Sequence, residues 1–168
     1  MTDNDRMLTR TFALLALSIA AFAQTPAAAP PANPPYGMSI SADAAKKVAA
    51  AAIAEAKKNN WSMAIAIVDT AGILVYFERM PETQLGSVDV AQEKAKSAAL
   101  FRRSTKVFQD AVAGGGVGLR MLGLPGAVPV EGGLPLIVDG KLIGAIGASG
   151  GSSDQDGVTA QAGVAAAK

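Results

Sequence analysis

The chain has 168 residues, half of them apolar, a formal net charge of +1, and neither histidine nor cysteine. That length suits one domain with a modest appendage, and the balanced charge, sparse aromatics and lack of a basic cluster argue against a nucleic-acid partner. Without cysteine there is no disulfide scaffold, thiolate metal site or thiol catalysis, and without histidine the commonest transition-metal ligand is gone.

At the N-terminus, Arg6 and Arg10 precede the apolar run Phe12 to Phe22, and Ala21-Phe22-Ala23 offers small residues at a cleavage site. This is the layout of a secretory signal peptide over residues 1–23, and the run is too short for a comfortable membrane span. The acidic opening "MTDND" is unusual there, and a start at Met7 would give a cleaner leader. The expected product is periplasmic or secreted, with no stable membrane span after cleavage. Residues 24–38 are Pro/Ala-rich and read as an extended linker without a core, so the folded domain is expected over 39–168.

Ser41 is placed to cap a helix in which Ala45, Val48, Ala49, Ala52, Ile53 and Ala56 form one apolar face, ending at Asn59-Asn60. "SMAIAIV" reads as a strand buried on both faces, and "DTAG" turns it into a second strand, "ILVYFER". Ser87 opens a second helix through about Arg103, with Val88, Ala91, Ala95, Ala98 and Ala99 as its stripe. Lys94 falls at the flank of that stripe. Arg102 falls inside it, which requires that it lie beyond the helix end, snorkel, or meet an anionic partner. Thr105 starts a short helix to Val112, followed by a long loop without periodicity, "GGGVGLRMLGLPGAVPVEGG". "LPLIVDGKLIGAIGAS" is a second hairpin around Asp139-Gly140, and a last helix runs from about Asp154 to Ala167. Two local hairpins with segregated helices give an α+β class with an antiparallel sheet.

Gly147-Ala148-Ser149-Gly150-Gly151 has the spacing of a serine-hydrolase nucleophile elbow, after a strand and before a helix. With no histidine anywhere, Ser149 lacks the usual base, and the small residues are better explained by close strand–helix packing. Ser153 and Asp156 match a capping box for the last helix.

The segments "KNNWSMAIAIVDTAGILVYFERM", "SVDVAQEKAKSAALFRRSTK" and "EGGLPLIVDGKLIGAIGASGGSSDQDG", with the Ala-rich tail, resemble the GlcG/HbpS family of haem-degrading or PduO C-terminal-like domains. The resemblance covers nearly everything from Ser39 onward. It implies a profilin-like fold with an antiparallel sheet of about five strands, homo-oligomers that are commonly octameric, and tetrapyrrole binding in some members. A histidine that holds haem in PduO-type relatives has no counterpart here. Met38, Met63, Met80, Met121, Tyr36 and Tyr76 are the remaining residues of iron-ligating type beyond the leader, and Met63 and Met80 read first as core.

The expectation is therefore an exported oligomeric protein that binds haem or a related carboxylated cofactor without catalysis or a metal site of its own. The ligand is expected against the end of the second helix and the following turn, at Lys94, Arg102, Arg103 and Thr105, and against the loop Glu131-Gly132-Gly133. The competing reading of Lys94 is a salt bridge at the surface or at an oligomer interface, and that of Asp156 is a helix-capping carboxylate. Two other functions compete. One is a small-molecule catabolic enzyme using Lys94 with Glu131 or Asp156, and the other is a structural oligomer serving a partner protein.

Overall fold

The computed structural model describes residues 32–168; the expected leader and residues 24–31 of the linker lie outside the described part. Helix α1, Ala42–Lys58, opens where Ser41 Oγ accepts the Ala44 N–H at 3.2 Å, and it closes at Asn59. Strands β1, Ala64–Val68, and β2, Leu74–Arg79, form the first expected hairpin. Its turn is held by Asp69, whose Oδ1 accepts the Ala71 and Ile73 amides at 2.8 and 2.9 Å. Helix α2, Ser87–Phe101, and helix α3, Lys106–Ala113, follow. The long loop contains a 3-10 run, Gly116–Gly123, which its many glycines hid from periodicity. Strands β3, Gly133–Val138, and β4, Lys141–Ser149, meet at a two-residue turn in which Asp139 and Gly140 both have positive φ, as a primed hairpin turn requires. Helix α4, Ser153–Ala165, ends the fold.

The capping box of α4 is shifted by one residue from the expected one. Ser152 Oγ accepts the Gln155 N–H, while Gln155 Oε1 accepts the Ser152 N–H at 3.0 Å. Asp156 is thereby released from capping for another partner.

The sheet is antiparallel with order β2-β1-β4-β3, four strands rather than about five among the described residues. Beyond the end of β1, the short stretch around Tyr36 occupies the free edge of β4 through a parallel bridge to Leu142. Leu142 N–H donates to Pro35 O at 2.8 Å, and Gly37 N–H to Leu142 O at 2.7 Å. Residues 35–37, expected in a free linker, are thus paired to the sheet, because β1 is shorter than β4 and leaves ladder groups to satisfy.

Alternate residues of β1, together with Met63 just before it, serve two cores. Met63, Ile65 and Ile67 pack with α1 and α4 on one face; Ala64, Ala66 and Val68 pack with the alanine face of α2 on the other. This three-layer arrangement is why the run is apolar at every position. The alanine stripe of α2 is consumed inside the subunit, where Ala91, Ala95, Ala98 and Ala99 are fully buried. The approach is close enough that a methyl group on Gly147 of β4 would collide with Ala91 O and lie 2.6 Å from Ala95 N. Gly147→Ala should therefore destabilise by about 1–3 kcal/mol through overpacking, seen as a lower urea midpoint at unchanged slope. A midpoint equal to that of the wild type would show that α2 does not rest on this glycine.

Candidate functional site

Lys94 is the side chain that the fold treats most unusually. It projects from α2, is fully buried, and places Nζ 2.6 Å from Asp156 Oδ2 on α4 and 3.2 Å from Ala148 O on β4. Because α2 and α4 cover opposite faces of the sheet, this ion pair joins the two helical layers. It passes the start of β3, where side chains are missing: a methyl group on Gly132 would stand 2.8 Å from Asp156 Cβ and 2.9 Å from Lys94 Nζ. One on Gly133 would meet the Lys94 carbonyl and, at 2.6 Å, Thr105 Cγ2. The glycine pair is therefore a gap through which the lysine reaches its partner.

Asp156 completes its coordination through Oδ1, which accepts the Gly151 N–H at 3.1 Å. Burial pushes its carboxyl above the ordinary carboxylate range, and the Lys94 ammonium and the Gly151 and Gly150 amides oppose that push. Lys94 is neither a surface nor an interface cation, and Asp156 is the anion of a buried pair and not a helix cap. Sequence periodicity placed Lys94 at the edge of a stripe because the partner that draws it inward lies 62 residues away.

Thr105 is buried beside this pair. Its Oγ1 accepts the Gly133 N–H at 3.0 Å, and its own N–H donates to Gly133 O at 3.0 Å, which ties the α2–α3 corner to β3. Ser149 is also buried, and its hydroxyl donates to Ser87 Oγ at 3.1 Å. The elbow spacing thus belongs to a strand end packed under α2.

The expected ligand residues separate into three places. Lys94, Thr105, Gly132 and Gly133 are the buried anchor just described. Arg102 lies beyond the helix end, in a left-handed conformation, with its guanidinium 5.0 Å from the Tyr36 ring centroid; Arg103 is exposed and donates to Asn33 Oδ1 at 3.4 Å. Only Glu131 lines the principal groove, an open cavity of about 600 Å³. Its other walls are Glu55 of α1, Ser104 and Lys106 at the α3 start, Leu134 of β3, and the α4 face that carries Val158, Gln161 and Ala162.

Lys106 is the cation of this groove. Its Nζ lies 2.8 Å from Asp110 Oδ1 and 3.7 Å from Glu131 Oε2, and the Asp110 hydrogen bond raises its pKa. Glu131 Oε2 is buried and receives no hydrogen bond from the chain. Sequence reasoning missed Lys106, Val158 and Ala162. The available signal was the Val158, Ala162, Ala165 spacing, a second apolar stripe on α4 beside the buried one. Among the described residues no cluster of three acidic side chains offers a metal site.

Truncating one member of the buried pair leaves the other charge without its partner. Asp156→Ala should cost about 3–5 kcal/mol, whereas Lys94→Met combined with Asp156→Asn should recover most of it, since both charges then leave together. Additive losses in denaturant titrations would contradict the pairing.

Comparison with known proteins places these features in a lineage. A family model described as haem degrading protein HbpS-like matches residues 40–165, from the entry of α1 to the end of α4. Protein GlcG of Escherichia coli (strain K12) is 40% identical over 110 residues, 66% of this chain and 81% of that protein. Klebsiella pneumoniae protein ORFY superposes with a TM-score of 0.71 at 30% identity, covering 83% of this chain and 97% of that one. The structure of a PduOC:haem complex superposes with a TM-score of 0.69 at 33% identity, covering 77% and 95%. The chain belongs to the HbpS-like family.

Proposed function

We propose that this chain is an exported, oligomeric binding protein for haem or a related carboxylated cofactor, held in the groove between the α3 start and α4. The observation that carries the reading is the groove itself. Its volume lies in the range of small-molecule sites, Leu134, Val158, Ala162 and Ala165 give it an apolar strip, and Lys106 is the one cation among its polar residues Glu55, Ser104, Glu131 and Gln161. Haem is chosen because PduOC, a structural neighbour, was solved with haem and the matching family is described as haem degrading.

The residues fit a haem held by ring burial and carboxylate pairing, not one held by an axial side chain. No methionine or tyrosine lines the groove. Met63 is buried in the core, the Tyr36 ring is engaged by Arg102, and the Tyr76 hydroxyl donates to Glu78, which raises its pKa and disfavours the phenolate. Lys106 would take the place expected for Lys94 in pairing with a propionate, and Val158 and Ala162 would meet the macrocycle. Bound haem supplies redox-active iron, while the chain supplies the apolar wall and the charge.

An enzyme using Lys94 with Asp156 or Glu131 is the weaker reading. A substrate would have to reach an ammonium that is fully buried and already paired. Exposed Val117, Leu119 and Leu122 along the 3-10 run supply apolar surface for a homo-oligomer.

Haemin titrated into the protein should give a saturable Soret change. Ala162→Trp should abolish it by filling the groove, and Lys106→Ala should weaken it a few-fold at low salt, with the difference shrinking at high salt. Lack of any saturable change in the wild type would remove haem as the ligand.

For the secreted protein, denaturing mass spectrometry should read a chain that starts at Gln24, and native mass an assembly larger than a dimer. A retained Met1 or Met7 terminus would refute export, and a monomer would refute the oligomer.

A further inference from the structure

The segment just before α1 touches the end of α2 at a point where the backbone is held against its preference. Arg102 closes α2 with φ of 53°, a left-handed conformation that helix ends normally assign to glycine. Three contacts from the leading segment surround it. The Tyr36 ring lies under the guanidinium at 5.0 Å, Arg102 Nη1 donates to Pro34 O at 3.2 Å, and the Tyr36 hydroxyl donates to Leu100 O at 3.4 Å. Arg103 adds Nη2 to Asn33 Oδ1 at 3.4 Å, while its Nε donates to Phe101 O at 3.2 Å. Leu100 O and Phe101 O are carbonyls of the last turn, which a helix leaves without internal donors. A segment from outside the helix thus supplies part of its C-terminal cap.

The same segment is anchored at its other side. Pro35 O accepts the Leu142 N–H, Gly37 N–H donates to Leu142 O, and Ile40 N–H donates to Ile143 O at 2.7 Å. Residues 33–37 therefore bridge the start of β4 to the α2–α3 corner. That corner leads directly into Ser104 and Lys106, the groove wall, with Thr105 between them bonded to Gly133.

We propose that Asn33 to Gly37 form a strap, with Tyr36 and Arg102 as its positioning residues, that holds the α2–α3 corner and through it sets the groove wall at Ser104 and Lys106. Release of the strap, for instance by proteolytic trimming past Tyr36, loosens the groove while the three-layer core stays folded. The consequence for ligand affinity rests on the groove being the binding site; the consequence for the corner does not.

Backbone hydrogen exchange on the full chain separates the two. In Tyr36→Ala and in Arg102→Gly, the amides of Leu142, Arg103 and Thr105 should exchange at least about tenfold faster, with β1 amides unchanged. Arg102→Gly is informative because glycine relieves the left-handed strain, so faster exchange there cannot come from a worse helix end. Tyr36→Phe keeps the ring over the guanidinium and should retain most of the protection. Haemin affinity should fall in Tyr36→Ala in step with exchange at Thr105. If Leu142 exchanges faster while Arg103 and Thr105 stay protected, the strap is not coupled to the corner and the inference fails. If haemin binds no variant and not the wild type, the groove reading fails while the exchange data still decide the strap.

Discussion

The fold is organised around one buried ion pair. Lys94 and Asp156 come from helices on opposite faces of the sheet, and taking both charges out of water costs several kcal/mol each unless geometry and further hydrogen bonds offset it. Here the contact is 2.6 Å, Ala148 O accepts a second bond from the lysine, and the Gly151 amide serves the free carboxylate oxygen. The pair can exist only because Gly132 and Gly133 leave open space at the start of β3. Its residues are also the sequence neighbours of the groove wall. Glu131 precedes Gly132, Gly157 and Val158 follow Asp156, and Ser104 and Lys106 flank Thr105. The wall is exposed chemistry set on buried anchors, a division in which anchors hold position and their neighbours face the groove.

Small residues make this economy workable. The alanine face of α2 against Gly147 brings helix and strand backbones into near contact, which shortens the distance that Lys94 has to span. On the other face larger side chains, Ile65, Ile67 and Ile146, fill the space under α1 and α4. On α4 one stripe, with Ala160 and Val164, packs in the core, and another, Val158 and Ala162, is turned to the groove.

The cations divide the same way. Lys94 is spent on internal structure, Arg102 and Arg103 are engaged with the leading segment, and Lys106 remains at the groove beside Asp110 and Glu131. A groove with one shared cation, two carboxylates and an apolar strip along Leu134, Val158 and Ala162 favours a ligand with an apolar body over a small, highly anionic one. This agrees with a tetrapyrrole-like occupant and runs against a small acid gripped by several basic side chains.

Much was legible from residues alone because it depends on short-range rules. The Ser41 cap, the Asp69 turn, the Asp139-Gly140 hairpin and the doubly buried β1 all follow from local propensity and alternation, and the absence of histidine removes a Ser-His-Asp triad at Ser149 before any coordinates. Tertiary structure decided what depends on distant partners. Lys94 is drawn inward only by Asp156 beyond the glycine gap, Arg102 is explained only by Tyr36 on a segment that composition marks as linker, and the apolar groove face of α4 is hidden by its buried neighbour. Periodicity reports which face of one element is apolar; it carries no information on which charge from another layer arrives there, and that pairing sets which cation this protein buries and which it leaves at the groove.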